Sequence, residues 1–107
     1  MFWYRYLYVG ERAKRYRSSI IRGIREKRYC PGVYVITPPS NGNNTLDIYP
    51  QYMLLLGGYR NREFHILGIA VGRREALNLA GTIVSDMYAL TGGFCLDRFL
   101  TERGSRV

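Results

Sequence analysis

The sequence predicts one small α+β domain, a mixed or antiparallel sheet of about four strands with two main helices, in the order β-α-β-β-(α)-β-α. Three observations predict it. Short runs rich in aromatic and β-branched residues lie at positions 2–9, 33–37, 46–49 and 64–71, the composition of a pleated, half-buried surface. Two longer stretches, from 11 to 28 and from 73 to the Gly92-Gly93 pair, switch to a helical period. A chain of 107 residues fits one domain, which buries roughly two-thirds of its unfolded surface.

The first strand is FWYRYLYV. Alternation places Phe2, Tyr4, Tyr6 and Tyr8 on one side, with Trp3, Arg5, Leu7 and Val9 on the other. Gly10 ends it. Residues 11–28 then read as a helix with Ala13, Tyr16, Ile20 and Ile24 as its apolar stripe. Gly23 inside it costs about 1 kcal/mol relative to alanine, and Pro31-Gly32 marks its end. VYVIT at 33–37 is a second strand, PPSNGNN at 38–44 a loop, and 46–49 a third strand, together a hairpin. Residues 50–56 read either as a short helix, since proline suits a first helical turn, or as a strand continued after a bulge through YMLLL; the helix is the reading taken. Residues 59–63 form a basic loop.

The chain is organised around residues 63–94. An apolar strand runs into Gly72, and a helix starts at Arg73. Leu79, Leu90, Ile83, Ala76, Met87, Ala80, Val84, Leu77 and Tyr88 fill one arc of about 180°, a wide core face. Glu75 complements the helix dipole in the first turn. The back of this helix carries Gly81, Ser85 and Ala89 at intervals of four. Small residues in line let another backbone approach, so this stripe is a candidate interface, including one for a homodimer. After Gly93, a helical turn packs on the core through Phe94, Phe99 and Leu100, and 101–107 is a frayed tail. Packing both helices on one face would leave the other face, with its tyrosine stripe, for solvent or a partner.

Charge carries the functional expectation. The formal net charge is +8, a balance that favours nucleic acid or an acidic protein surface as partner. The basic residues are almost all arginine, which suits bidentate phosphate contacts and stacking. They concentrate at 11–28, where eight basic residues face two acidic ones. Lys14, Arg15, Arg17, Arg22, Arg25 and Arg28 are the candidate nucleic-acid-binding residues. Arg73 and Arg74, at the start of the long helix, are a candidate anion site. No run of about 18 apolar residues is present, so no membrane span is expected, nor is the N-terminus a signal peptide, since Arg5 interrupts its apolar run.

No catalytic signature accompanies this charge. His65 has no triad or metal-ligating partners in a recognisable spacing. The eight carboxylates are scattered, and no pair is spaced for acid–base work. The Walker and dinucleotide glycine patterns are absent, so no cofactor is expected, and Cys30 and Cys95 read as free thiols rather than a metal site. The expected function is therefore non-enzymatic binding of nucleic acid or a nucleoprotein. The alternative is a protein-interaction module.

The pattern LDIYP…YxxREFHILGIAVGRREALNLAGTIVSDMYALTGGF, with the VYVIT strand before it, resembles a group of short uncharacterised open reading frames from Gram-positive gut anaerobes. The resemblance covers roughly residues 30–100. It implies a bacterial chromosomal or mobile-element origin and a cytoplasmic setting, and assigns no activity or functional residue.

Overall fold

The computed structural model describes residues 2–39, 45–57, 63–94, 96 and 98–100. The tip of the loop expected at 38–44, most of the basic loop at 59–63, Cys95 and the tail at 101–107 lie outside the described residues. The fold is α+β: strands β1 (Phe2–Val9), β2 (Val33–Thr37), β3 (Asp47–Pro50) and β4 (His65–Val71), with helices α1 (Arg17–Arg25) and α2 (Arg73–Thr91). A 3-10 turn, Lys14–Tyr16, precedes α1, and another, Gln51–Leu55, follows β3. The sheet order is β1-β4-β2-β3. It is mixed: β1 runs parallel to β4, whereas β2 is antiparallel to both β4 and β3.

The helices cover opposite faces of this sheet, not one. Ile20 and Ile24 of α1 pack with Val33, Val35, Ile66 and Ile69. Ile83 and Met87 of α2 pack with Ile36 and Leu67 on the other side. The physical cause is in the two inner strands. Val35 and Ile36 are neighbours on β2, so they point to opposite faces, and both are fully buried. Strands apolar on both sides need cover on both sides. The tyrosine stripe is covered too: Tyr4 and Tyr8 pack against the α2-side cluster, and the Tyr8 hydroxyl donates to Asp86 Oδ2 at 2.6 Å.

Alternation fails once in β4. Ile66 and Ile69 belong to the α1-side cluster, while Leu67 belongs to the α2 side. Gly68 also faces α2, where an added Cβ would lie 3.1 Å from Leu79 and 3.3 Å from Tyr8. Two consecutive residues thus turn the same way, and the β1–β4 register shifts between Trp3 and Tyr8, where four residues of β1 stand opposite Leu67 alone, so the extra length lies on β1.

The first helix is shorter than the 11–28 stretch expected. It begins at Arg17 after the 3-10 turn and closes at Arg25. Its end is built by hydrogen bonds from Lys27 N to Ile24 O at 3.1 Å and from Arg28 N to Gly23 O at 2.9 Å. This is the Schellman arrangement, with Lys27 at φ 58° where glycine is the usual residue. A lysine in the left-handed region costs about 1 kcal/mol. Lys27→Gly is therefore expected to raise stability by about 1 kcal/mol, less the flexibility glycine adds to the unfolded chain, as read by urea denaturation. A lower midpoint would contradict this account of the helix end.

The core arc of α2 is narrower than the wheel predicts. Ala76, Ile83 and Met87 are buried and Leu79, Ala80 and Leu90 pack beside them. Leu77 and Tyr88, at the edges of the arc, are 52% and 57% exposed. Past the helix, Phe99 is buried with Leu96 and Leu100 against it, but Phe94 turns outward onto Tyr88, ring centroids 5.6 Å apart.

The ends of β1 and α2 are fastened by Glu75. Its carboxylate accepts the amides of Arg12 at 2.5 Å and Val71 at 2.6 Å, so a charge in the first turn of α2 also ties down two strand ends. Gly10 makes room for it: a Cβ there would lie 2.5 Å from Glu75 Oε2. Gly10→Ala is expected to displace the carboxylate and lower stability by about 1–2 kcal/mol. A chemical denaturation midpoint equal to that of the parent would show that Glu75 is not held as described.

Candidate nucleic-acid interface

The basic surface is built by the short helix and the turns at its two ends. Ile20 and Ile24 hold α1 on the sheet, which turns the rest of its circumference outward. On a wheel of about 100° per residue, Arg17, Ile21, Arg25, Ser18 and Arg22 occupy one continuous arc beside that apolar stripe. These residues and Glu26 line a shallow depression of about 640 Å³. Ile21 forms its apolar floor and packs on the α1-side core.

The six predicted cations have different surroundings. Lys14 pairs with Glu11 at 2.8 Å, both strongly exposed. Arg22 Nε donates to Glu26 Oε1 at 3.1 Å, and Arg28 pairs with the other oxygen of the same carboxylate. Such exposed pairs are worth little and reopen readily. Arg15 lies over the Tyr16 ring, 5.9 Å from its centroid. Arg25 lies over the Trp3 ring at 5.6 Å. Arg17 makes no ion pair among the described residues. The structure therefore gathers Arg17, Arg22 and Arg25 on one arc. Lys14 and Arg15 sit in the 3-10 turn before α1, and Arg28 beyond the left-handed turn after it.

Two residues that sequence reasoning passed over complete this region. Trp3, on β1, carries the Arg25 guanidinium. Gln51 is 1% exposed. Its Oε1 accepts Cys30 N at 2.7 Å, and its Nε2 donates to Arg28 O at 2.6 Å. It thus clamps the segment that leaves α1. A glutamine after a proline at the end of a strand gives no sequence signal of this; its meaning comes from a contact 21 to 23 residues away.

Arg73 and Arg74 are both exposed. Arg74 lines an open cleft of about 520 Å³ between the end of β1 and the start of α2, together with Arg12, Glu75, Asn78 and Leu79. Arg12 was not singled out by the sequence, yet its Nη1 would lie 3.5 Å from a Cβ on Gly72. The Glu75 carboxylate already takes the amides of Arg12 and Val71 here, placing a negative charge where an incoming anion would sit.

Gly81, Ser85 and Ala89 are exposed, and nothing lies within 4 Å of a Cβ added at Gly81. Within this chain the stripe has no packing partner among the described residues. Leu77, Tyr88 and Phe94 stand exposed on the same helix and just beyond it.

Residues considered for chemistry are dispersed. His65 is exposed, its ring tilted on Phe2 with centroids 5.1 Å apart. Asp86 accepts from Tyr8. Cys30 is a free thiol, and burial pushes its titration up against a smaller lowering by Arg28, which makes it a poor nucleophile at neutral pH. Among the described residues no group of three His, Cys, Asp or Glu is placed to hold a metal ion, and no helix is long and apolar enough to cross a membrane. Comparison with known protein families, with curated proteins and with solved structures found no match.

Proposed function

We propose that the protein is a non-enzymatic binding module that contacts nucleic acid, free or within a nucleoprotein, through the outer arc of α1. The observation that carries this reading is the grouping of Arg17, Arg22 and Arg25 around one shallow apolar-floored depression, on a chain of formal charge +8. Guanidinium groups offer two parallel donors to a phosphate. Releasing the counterions of the phosphates they neutralise supplies most of the affinity. Lys14, Arg15 and Arg28 extend the positive strip beyond both ends of the helix. A cytoplasmic, mobile-element setting belongs to the same proposal.

A second reading rests on a different surface. The exposed side of α2 carries Leu77, Gly81, Ser85, Tyr88 and Ala89, with Phe94 beyond it, and Arg74 in the first turn is the charge on that arc among the described residues. On a strongly basic chain, such a face supports contact with a protein, a second copy included.

Chemical-shift mapping separates the two. Titration with a mixed-sequence oligonucleotide should move amide resonances at residues 14–28 and leave 77–94 in place. Concentration-dependent shifts at 77–94 without oligonucleotide, and none at 14–28 with it, would favour the interaction module.

A further inference from the structure

We infer that the nucleic acid taken by this surface is single-stranded, and that Arg25, held over Trp3, is the platform on which an unpaired base stacks. The inference rests on the nucleic-acid reading of α1. Trp3 is the chain's one tryptophan. It lies on β1, which is an edge strand, and packs half-buried against the α1-side core. Its ring is therefore fixed by the fold. Arg25 extends from α1 across this ring, 5.6 Å from the centroid, and makes no ion pair with a carboxylate among the described residues. The guanidinium carbon lies within cation–π range of the indole, and no carboxylate among the described residues neutralises its charge.

This differs from a plain phosphate contact. A guanidinium free to swing meets a phosphate edge-on through its N–H groups. One held beside an indole can lie flat on it and leave its other face for a base, since flat cations stack on bases. The same pairing recurs nearby: Arg5 lies over Tyr6 at 5.7 Å and Arg15 over Tyr16 at 5.9 Å. Energetically significant cation–aromatic pairs occur about once per 70–80 residues. Here three contacts at those distances fall between residues 3 and 25, two of them between sequence neighbours, on β1, the 3-10 turn and α1. A duplex hides its base faces in its own stack, so it offers such platforms nothing. An unpaired strand offers a base face and a phosphate within the same nucleotide. Arg17 and Arg22, beside Arg25 around the depression, would take the phosphates.

The test uses the full chain, with homopolymeric single-stranded DNA and RNA oligonucleotides and a duplex of equal length. Binding is followed by anisotropy of the labelled strand and by the emission of Trp3. The key variant is Arg25→Lys, which keeps the charge but loses the plane; Trp3→Phe keeps a ring and serves as a second variant. Wild-type protein should bind single strands more tightly than duplex and change its Trp3 emission on binding. Arg25→Lys should weaken single-strand binding about tenfold and duplex binding clearly less, with a similar salt dependence because the charge is kept. Salt-dependent binding in which Arg25→Lys has no effect, Trp3 emission does not move, or duplex binds equally well would overturn the inference and leave the broader reading standing. Absence of salt-dependent binding to every strand would overturn both.

Discussion

Replacing Arg17, Arg22 and Arg25 together by glutamate weakens nucleic-acid binding at least about a hundredfold, on the order of 2.7 kcal/mol, and leaves the fold intact. The three positions are exposed, and glutamate is about as good a helix former as arginine. The core contacts of α1 run through Ile20 and Ile24 on its other side. The local penalties are a carboxylate at 22 facing Glu26, where Arg22 now donates, loss of the Arg25 contact with Trp3 and negative charge in the last turn of α1, each worth a few tenths to about 1 kcal/mol. Removing each phosphate contact lowers the salt slope by about one unit on duplex and somewhat less on a single strand. The control is Arg73→Glu with Arg74→Glu. That pair removes less charge from a region where Glu75 already occupies the strand-end amides, and it is expected to cost no more than about fivefold through the general field of the protein. Equal losses in the two variants would mean that net charge, not the α1 arc, governs binding.

Gln51→Leu lowers stability by about 2–3 kcal/mol. Its side chain is almost completely buried and satisfies an amide at Cys30 and a carbonyl at Arg28. Leucine fills similar space but leaves Cys30 N without its partner and Arg28 O with only the weak Cys30 thiol donor at 3.6 Å, at about 1–3 kcal/mol for each group that water fails to reach. In thermal unfolding this corresponds to a fall of roughly 10–20 °C for a domain of this size. Gln51→Glu is the informative companion. It keeps one acceptor for Cys30 N but offers no donor to Arg28 O, so it should be destabilised at neutral pH and partly recover as acid protonates the carboxyl. Wild-type stability in Gln51→Leu would show that the loop after α1 is held by other contacts.

The fold was legible wherever hydrophobic period and punctuation agreed. VYVIT coincides with β2, FWYRYLYV with β1, and α2 runs from Arg73 to the Gly92 stop. The short helical turn after Pro50 also appears where proline chemistry places it. Layering was the miss. The continuous apolar run Ile66 to Ala70, buried at every residue, signals a strand covered on both faces, yet the irregular pairing at Leu67 and Gly68 hides its alternation. A wheel treats α1 as one helix through residue 28, because a left-handed lysine has no sequence mark comparable to glycine. Leu77, Tyr88 and Phe94 were assigned to the core on hydrophobicity alone. Their exposure reflects how little of a helix a four-stranded sheet can cover.

For the candidate site, sequence located the cations but not what surrounds them. Arg25 and Trp3 are 22 positions apart, and only the packing of α1 across the face of β1 unites them. Gln51 and Arg12 were silent for the same reason, since a polar side chain acquires a role from a distant backbone. By contrast, the small-residue stripe was visible in advance, and its exposure keeps an interface at α2 open to measurement.

The central claim is that the α1 arc binds nucleic acid through phosphate contacts. The most direct measurement is the equilibrium affinity for an oligonucleotide across a series of monovalent salt concentrations. Arg17 and Arg22 on phosphates of a single strand, with Arg25 on a base, predict log K falling linearly with log salt at a slope near about −1.4, and the triple glutamate variant should lose most of that slope. Undetectable binding at low salt, or binding whose affinity does not change with salt, would contradict the account.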